Sequence, residues 1–132
     1  MQIKLTSVFV NDQEKALKFY TDVLGFQKKH DFAGGGNYRW LTVVSPEDPE
    51  GVQLVLEANS GYNTAAKTYQ VEIYKSGIPA ANFFVADVQK EYDRLVQFGV
   101  KFTKEPAKTI GSTIALLDDT CGNIIQITHL DW

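Results

Sequence analysis

From Ile3 to Val10 the chain alternates apolar and polar positions and is rich in β-branched and aromatic residues, which predicts a strand. The period then changes. Ala16, Leu17, Tyr20, Val23 and Leu24 recur three and four residues apart, so the segment after Asp12 is predicted to be a helix with one apolar face. Asp12 suits its N-cap, because a carboxylate there accepts the free N–H groups of the first turn. Gly25 stands where a closing left-handed residue is needed. Residues 26–32 and 38–44 read as strands joined by a glycine-rich hairpin loop at 33–36. After the turn at 46–51, residues 52–58 read as a fourth strand.

The pattern then repeats. Residues 8–26 are VFVNDQEKALKFYTDVLGF and residues 83–100 are FFVADVQKEYDRLVQFGV. With Asp12 set on Asp87, the strand end, the acid, Lys15 and Lys90, the helical run and the closing Gly25 and Gly99 all correspond, with one residue deleted. A repeat of this length predicts one supersecondary unit used twice, with a groove where the halves meet. Module one spans 1–58 and module two spans 79–132. Residues 59–78 are the connector: a polar loop at 59–65 and a short helix at 65–75, closed by Gly77 and Pro79. Module two is read as a strand at 80–86, a helix at 88–98 and strands at 100–104, 112–118 and 123–129. The expected fold class is α+β: two tandem βαβββ modules forming a cupped, half-barrel-like cleft within a single domain over 1–132.

Two segments carry a family resemblance. The first is Val10-x-Asp12, then Ala16-Leu17-x-Phe19-Tyr20, then Leu24-Gly25-Phe26. The second is the closing run from Asp118 to Ile127, DDTCGNIIQI. With the duplicated modules, they make the chain similar to the vicinal oxygen chelate superfamily of glyoxalase I, bleomycin-resistance proteins and extradiol dioxygenases. The resemblance covers essentially the whole chain and is nearly silent on reaction, since one fold hosts many chemistries. It implies a cleft whose floor, in the enzymes, holds a divalent metal on His, Gln or Glu side chains. Such a metal would bridge two substrate oxygens and act as a Lewis acid. The implied positions fall on Leu5, Ala80 and Gln126, with the fourth among Gln53, Val55 and Glu57. A two-residue slip of the first strands substitutes Ser7 and Asn82, neutral and weak ligands for a transition metal. No converging set of His, Asp, Glu or Cys is present on this register, so neither metal nor other cofactor is expected.

Composition narrows the partners. Thirteen basic against sixteen acidic residues give a net charge of −3, without a basic stripe, which argues against nucleic acid. No apolar segment approaches the roughly 20 residues of a membrane span. The first ten residues read as a strand rather than a signal peptide, and the single Cys121 excludes an intrachain disulfide, so a cytoplasmic protein is expected. Hydrophobic content of 44% suits a soluble domain with its own core.

The primary functional reading is a small-molecule binder. Ser7, Phe9, Trp40, Glu57, Asn82, Phe84 and Gln126 are the candidate ligand-binding residues: aromatic walls with a few polar anchors. Gln126 offers a donor and an acceptor without charge. The mild net charge gives a cationic ligand little long-range steering. Glu57 is the one candidate for a general base, a role that requires burial to raise its pKa. His30 and His129 read as surface residues, Arg39 as solvent-facing and Cys121 as a turn residue. The glycine loop at 34–36 lacks the following helix and Lys-Ser/Thr of a phosphate loop. Two alternatives remain: a metal-dependent lyase, isomerase or dioxygenase, and a non-catalytic dimeric interaction module. A homodimer is expected in any case, because open curved sheets leave strand edges that need cover.

Overall fold

The computed structural model describes residues 1–61 and 64–132. Tyr62 and Asn63, part of the expected polar loop, lie outside the described residues. The chain divides into two compact units, Met1–Tyr69 and Gln70–Trp132.

The first unit contains β1 (Leu5–Val10), α1 (Gln13–Lys18), a π-helical turn (Phe19–Val23), β2 (Gln27–Ala33), β3 (Arg39–Val44) and β4 (Gln53–Ala58). Then comes α2 (Thr64–Lys75), the connector helix, across which the division between units falls. The second unit continues with β5 (Ala81–Phe84), α3 (Val88–Gln97), β6 (Phe102–Thr109), β7 (Ser112–Asp118) and β8 (Ile124–Leu130). Each unit carries one four-stranded sheet, ordered β1-β4-β3-β2 in the first and β5-β8-β7-β6 in the second. In each, the first strand runs parallel to the last and the other pairings are antiparallel. The repeated βαβββ reading and the α+β class therefore hold.

Alternation along each strand sends one set of side chains to the helix side. In the first unit Val8, Val10, Leu41, Val43, Leu54 and Leu56 are buried there, together with Ala16, Phe19 and Tyr20. In the second, Ala115, Leu117, Ile125 and Ile127 are buried with Val88 and Leu95 of α3. The opposite faces carry the candidate site residues.

Both predicted caps form. Asp12 Oδ1 accepts from Lys15 N at 3.0 Å and Asp87 Oδ1 from Lys90 N at 3.0 Å. Gly25 and Gly99 close these segments at φ of 90° and 81°, a region open to glycine at little cost. Asp12→Ala and Asp87→Ala are each expected to lower stability by about 1 kcal/mol, read as a reduced denaturation midpoint.

Three details differ from the sequence expectation. The first helix does not run evenly to Leu24: its last turns widen, with Leu24 N donating to Phe19 O at 3.0 Å, five residues back. Both consecutive aromatic residues at this turn, Phe19 and Tyr20, are buried. The sixth strand is Phe102–Thr109 rather than 100–104. It is an edge strand with register shifts between Phe102 and Ala107, so Pro106 is tolerated where a central strand would reject it. The fifth strand is shorter than 80–86 and ends at Phe84.

Candidate functional site

The non-helix face of the first sheet is assembled by register. Leu5 lies beside Gln53, Ser7 beside Val55 and Phe9 beside Glu57 on the parallel β1–β4 pair. Across the antiparallel pairs, Thr42 lies beside Val55, His30 beside Thr42, and Phe32 beside Trp40.

β3 and β4 pair through only two residue pairs, Thr42 with Val55 and Val43 with Leu54. Towards Arg39 and Leu56 the ladder stops, and a side chain replaces it. Gln13, the first residue of α1, donates both amide hydrogens there: Nε2 lies 3.0 Å from Arg39 O and 2.8 Å from Leu56 O. Two carbonyl partners fix the amide orientation, so Gln13 Oε1 is left as its acceptor.

At this place a cavity of about 310 Å³ opens within the first unit. Its walls include Trp40, Tyr38, Val55 and Ala58, with Gln13 and Glu57 as polar groups from the sheet and helix. Gly35, Asn37, Ser60 and Gly61 complete it from two loops, and Arg39 contributes at one side. The volume is at the small end of the range for ligand pockets. Glu57 is half-buried, and its carboxylate has no hydrogen-bond or ion-pair partner among the described residues. Tyr38 is held by the glycine loop. A Cβ on Gly34 would stand 2.2 Å from its ring, so only glycine lets that ring lie against the backbone.

Arg39 is not solvent-facing in the sense expected. Its Nε and Nη2 donate to the two oxygens of Asp31 at 2.8 Å each, and Nη1 donates to Glu14 at 2.9 Å. The hydrogen bond from Arg39 holds the Asp31 carboxyl below the usual carboxylate range; partial burial opposes this, and the Arg39 and Lys28 charges reinforce it. The same Asp31 bond raises Arg39. A depressed folded-state pKa means the stabilisation is present above the ordinary carboxylate value and lost as pH falls through the lowered one. The melting-temperature gap between the parent and Asp31→Asn should therefore be full at about pH 6 and close progressively below about pH 4. A gap unchanged at the lowest pH would contradict the pairing.

His30 is exposed yet engaged. Thr42 Oγ1 accepts from His30 N at 3.2 Å and donates to Gln53 Oε1 at 2.8 Å. His30 Nδ1 lies 3.1 Å from the same Gln53 oxygen. An accepting oxygen there is matched by a proton on Nδ1.

In the second unit, Asn82 pairs in register with Gln126 and Phe84 with Thr128. Gln126 Nε2 donates to Thr128 Oγ1 at 3.0 Å, and Thr128 donates to Asn82 Oδ1 at 2.7 Å. Thr128 thus joins two candidate residues that the sequence reading placed separately. Phe84 is 60% exposed. His129 caps the neighbouring helix: its Nδ1 accepts from Val88 N at 2.8 Å, and Nε2 lies 3.3 Å from Asp131.

Of the seven candidates, Trp40 and Glu57 are brought to the cavity, while Ser7 and Phe9 lie on the same sheet outside its lining. Phe9 packs edge-on against Tyr69, with ring centroids 6.3 Å apart. Gln13 was missed, because residue N1 of a helix carries no periodic signal for a bond to strands 26 and 43 residues away. The positions implied for a metal do not form a donor set. Leu5 and Ala80 offer hydrocarbon only, and Gln126 is turned to Thr128. No group of three or more His, Cys, Asp or Glu side chains among the described residues is arranged to hold a metal ion. None of the described helices is long and apolar enough to cross a membrane.

Paired βαβββ units with such sheet faces define a protein class. The chain belongs to the Glyoxalase/Bleomycin resistance protein/Dioxygenase superfamily, whose family model matches residues 2–127. Among individual relatives it is 55% identical over 129 residues to the uncharacterized protein YurT of Bacillus subtilis (strain 168), covering 98% of this chain and 99% of that one. Its structure is similar to that of UcmS2, with TM-score 0.82 and 31% identity over 100% of this chain and 98% of the other. It is also similar to TnmS3, an antibiotic binding protein from Streptomyces sp. CB03234, with TM-score 0.76 and 27% identity over 98% and 96% of the two chains.

Proposed function

We propose that this protein binds a small, flat, partly apolar molecule, that it does so without a metal, and that the cavity at the β3–β4 opening is the binding place. One observation carries this reading. The strands separate beside Trp40, and Gln13 donates to two carbonyls at the opening, Arg39 O and Leu56 O, so a side chain of the fold props the opening where the ladder stops. An aromatic and aliphatic wall with a few polar groups is the usual make-up of a ligand site. The similarity to an antibiotic binding protein supports the same class of activity. The donor chemistry at the implied metal positions supports the metal-free part, since hydrocarbon side chains do not offset the stripping of water from a cation.

A thermal-shift screen of planar antibiotics, quinones, catechols and short oxo-acids tests the reading. Hits among the planar aromatic compounds, unchanged by chelator, are the expected result. Stabilisation by several degrees with micromolar metal and loss of all hits in chelator would promote the lyase, isomerase or dioxygenase alternative. An empty screen would leave the interaction-module alternative. The homodimer is part of the proposal: β1 and β5 are edge strands of their sheets, and Leu5, the first residue of β1, is 45% exposed. Light scattering that returns the monomer mass of 14.8 kDa at tens of micromolar would remove it.

A further inference from the structure

Among the described residues, the cavity's one unpaired charge and its helix-borne amide both present acceptors, beside the neutral Asn37 and Ser60, whose side chains can also donate. Glu57 presents a carboxylate, which accepts hydrogen bonds and donates none. Gln13 has both amide hydrogens occupied by Arg39 O and Leu56 O, and retains Oε1, again an acceptor. Arg39, the one basic residue among the described residues of the lining, has its guanidinium occupied by Asp31 and Glu14. The charges around the cavity are therefore three carboxylates against Arg39 and, on the far side of Asp31, Lys28 at 3.7 Å. The indole of Trp40 and the phenol of Tyr38 stand in the same wall, and aromatic rings attract cations.

We infer that the ligand of this cavity is a planar aromatic molecule carrying a protonated nitrogen, such as an amine or amidine, whose N–H groups are received by Glu57 and Gln13 Oε1. This rests on the small-molecule reading above and names its ligand class. A half-buried carboxylate without a protein partner is completed by a charged donor at close range, where hydrogen bonding to the ionised form is strong. The protein's small net charge is no obstacle. Net charge governs long-range steering, whereas this recognition acts at contact distance. An anionic ligand of the same shape meets Glu57 with no free cation in the lining, among the described residues, to offset it.

The test uses three tricyclic probes of one shape at about pH 7: 9-aminoacridine as the cation, 9-acridone as the neutral body and acridine-9-carboxylate as the anion. Calorimetric titration of the parent should show the cation bound about tenfold or more tighter than the neutral probe. The anion should bind weakest. Glu57→Gln keeps the side chain's shape and should retain the neutral probe's affinity while most of the cation preference disappears. Its melting temperature, measured alongside, should match the parent, since Glu57 has no partner to lose. Equal binding of cation and neutral body to the parent overturns the inference and leaves the small-molecule reading standing. So does a preference that survives in Glu57→Gln. Binding of none of the three overturns the inference, and the wider screen then decides the small-molecule reading.

Discussion

Replacing Asp119 with alanine is expected to lower stability by about 3 kcal/mol, the largest effect of any single substitution considered for this protein. Asp119 is fully buried. Its Oδ1 accepts from Cys121 N at 2.7 Å and Asn123 N at 2.9 Å, and its Oδ2 from Asn123 Nδ2 at 2.7 Å. Alanine strands three donors in a place water does not reach, and each unsatisfied buried donor costs about 1–3 kcal/mol before local relaxation. Relaxation is restricted from the other side. Gln70, itself buried, donates to Cys121 O at 3.1 Å and Asn123 Oδ1 at 3.2 Å. A Cβ on Gly122 would lie 2.6 Å from the Gln70 amide nitrogen, so the turn is packed closely against that side chain. Asp119→Asn should fall between the parent and alanine, because its amide would face the Asn123 amide donor. Urea unfolding followed by circular dichroism gives the comparison. A loss below about 1 kcal/mol for the alanine variant would show that the turn re-forms without its carboxylate.

Trp40→Ala should weaken ligand binding by roughly ten- to a hundredfold, the larger of the expected binding effects. Trp40 is half-buried and lines the cavity with its indole, the largest side chain among the described lining residues. Truncation removes both the contact area of an indole and the enclosure that excludes water from Glu57 and Gln13. A direct optical readout exists because the chain has only two tryptophans, and Trp132 is 87% exposed at the chain end. In a Trp132→Phe background, emission reports Trp40 alone, and a planar ligand in the cavity should quench it in proportion to occupancy. Calorimetry on Trp40→Ala supplies the affinity. An affinity equal to the parent's, or unquenched Trp40 at saturation, would move the binding place elsewhere.

The legible part of this fold lies in short-range signals. Asp12 and Asp87 were readable as caps because a cap bonds three residues ahead, and the repeat fixed the element order twice. Strand parity correctly set Ser7 and Phe9 on one face of β1, beside Val55 and Glu57, because side chains alternate whatever the tertiary context. The end of β6 was not legible. Pro106 argues against a strand in isolation, and only an edge position with a shifted register admits it.

The site divides in the same way. Trp40 and Glu57 could be nominated from residue type and strand face. That they share a cavity, while Ser7 and Phe9 do not line it, depends on where β3 and β4 stop pairing, and periodicity carries no information about that. The roles of Gln13, Arg39, Thr128 and His129 were hidden for one reason. Each side chain is defined by a bond to another element, such as Gln13 to Leu56 across 43 residues or Val88 to His129 across 41. The sequence by itself determined the two βαβββ units, their caps and the residue types available on each sheet face, since these follow from local propensity and alternation. Tertiary structure alone decided which polar groups were taken up by the fold and which, Glu57 above all, kept no partner among the described residues, because hydrogen-bond satisfaction is settled only when distant strands and helices meet.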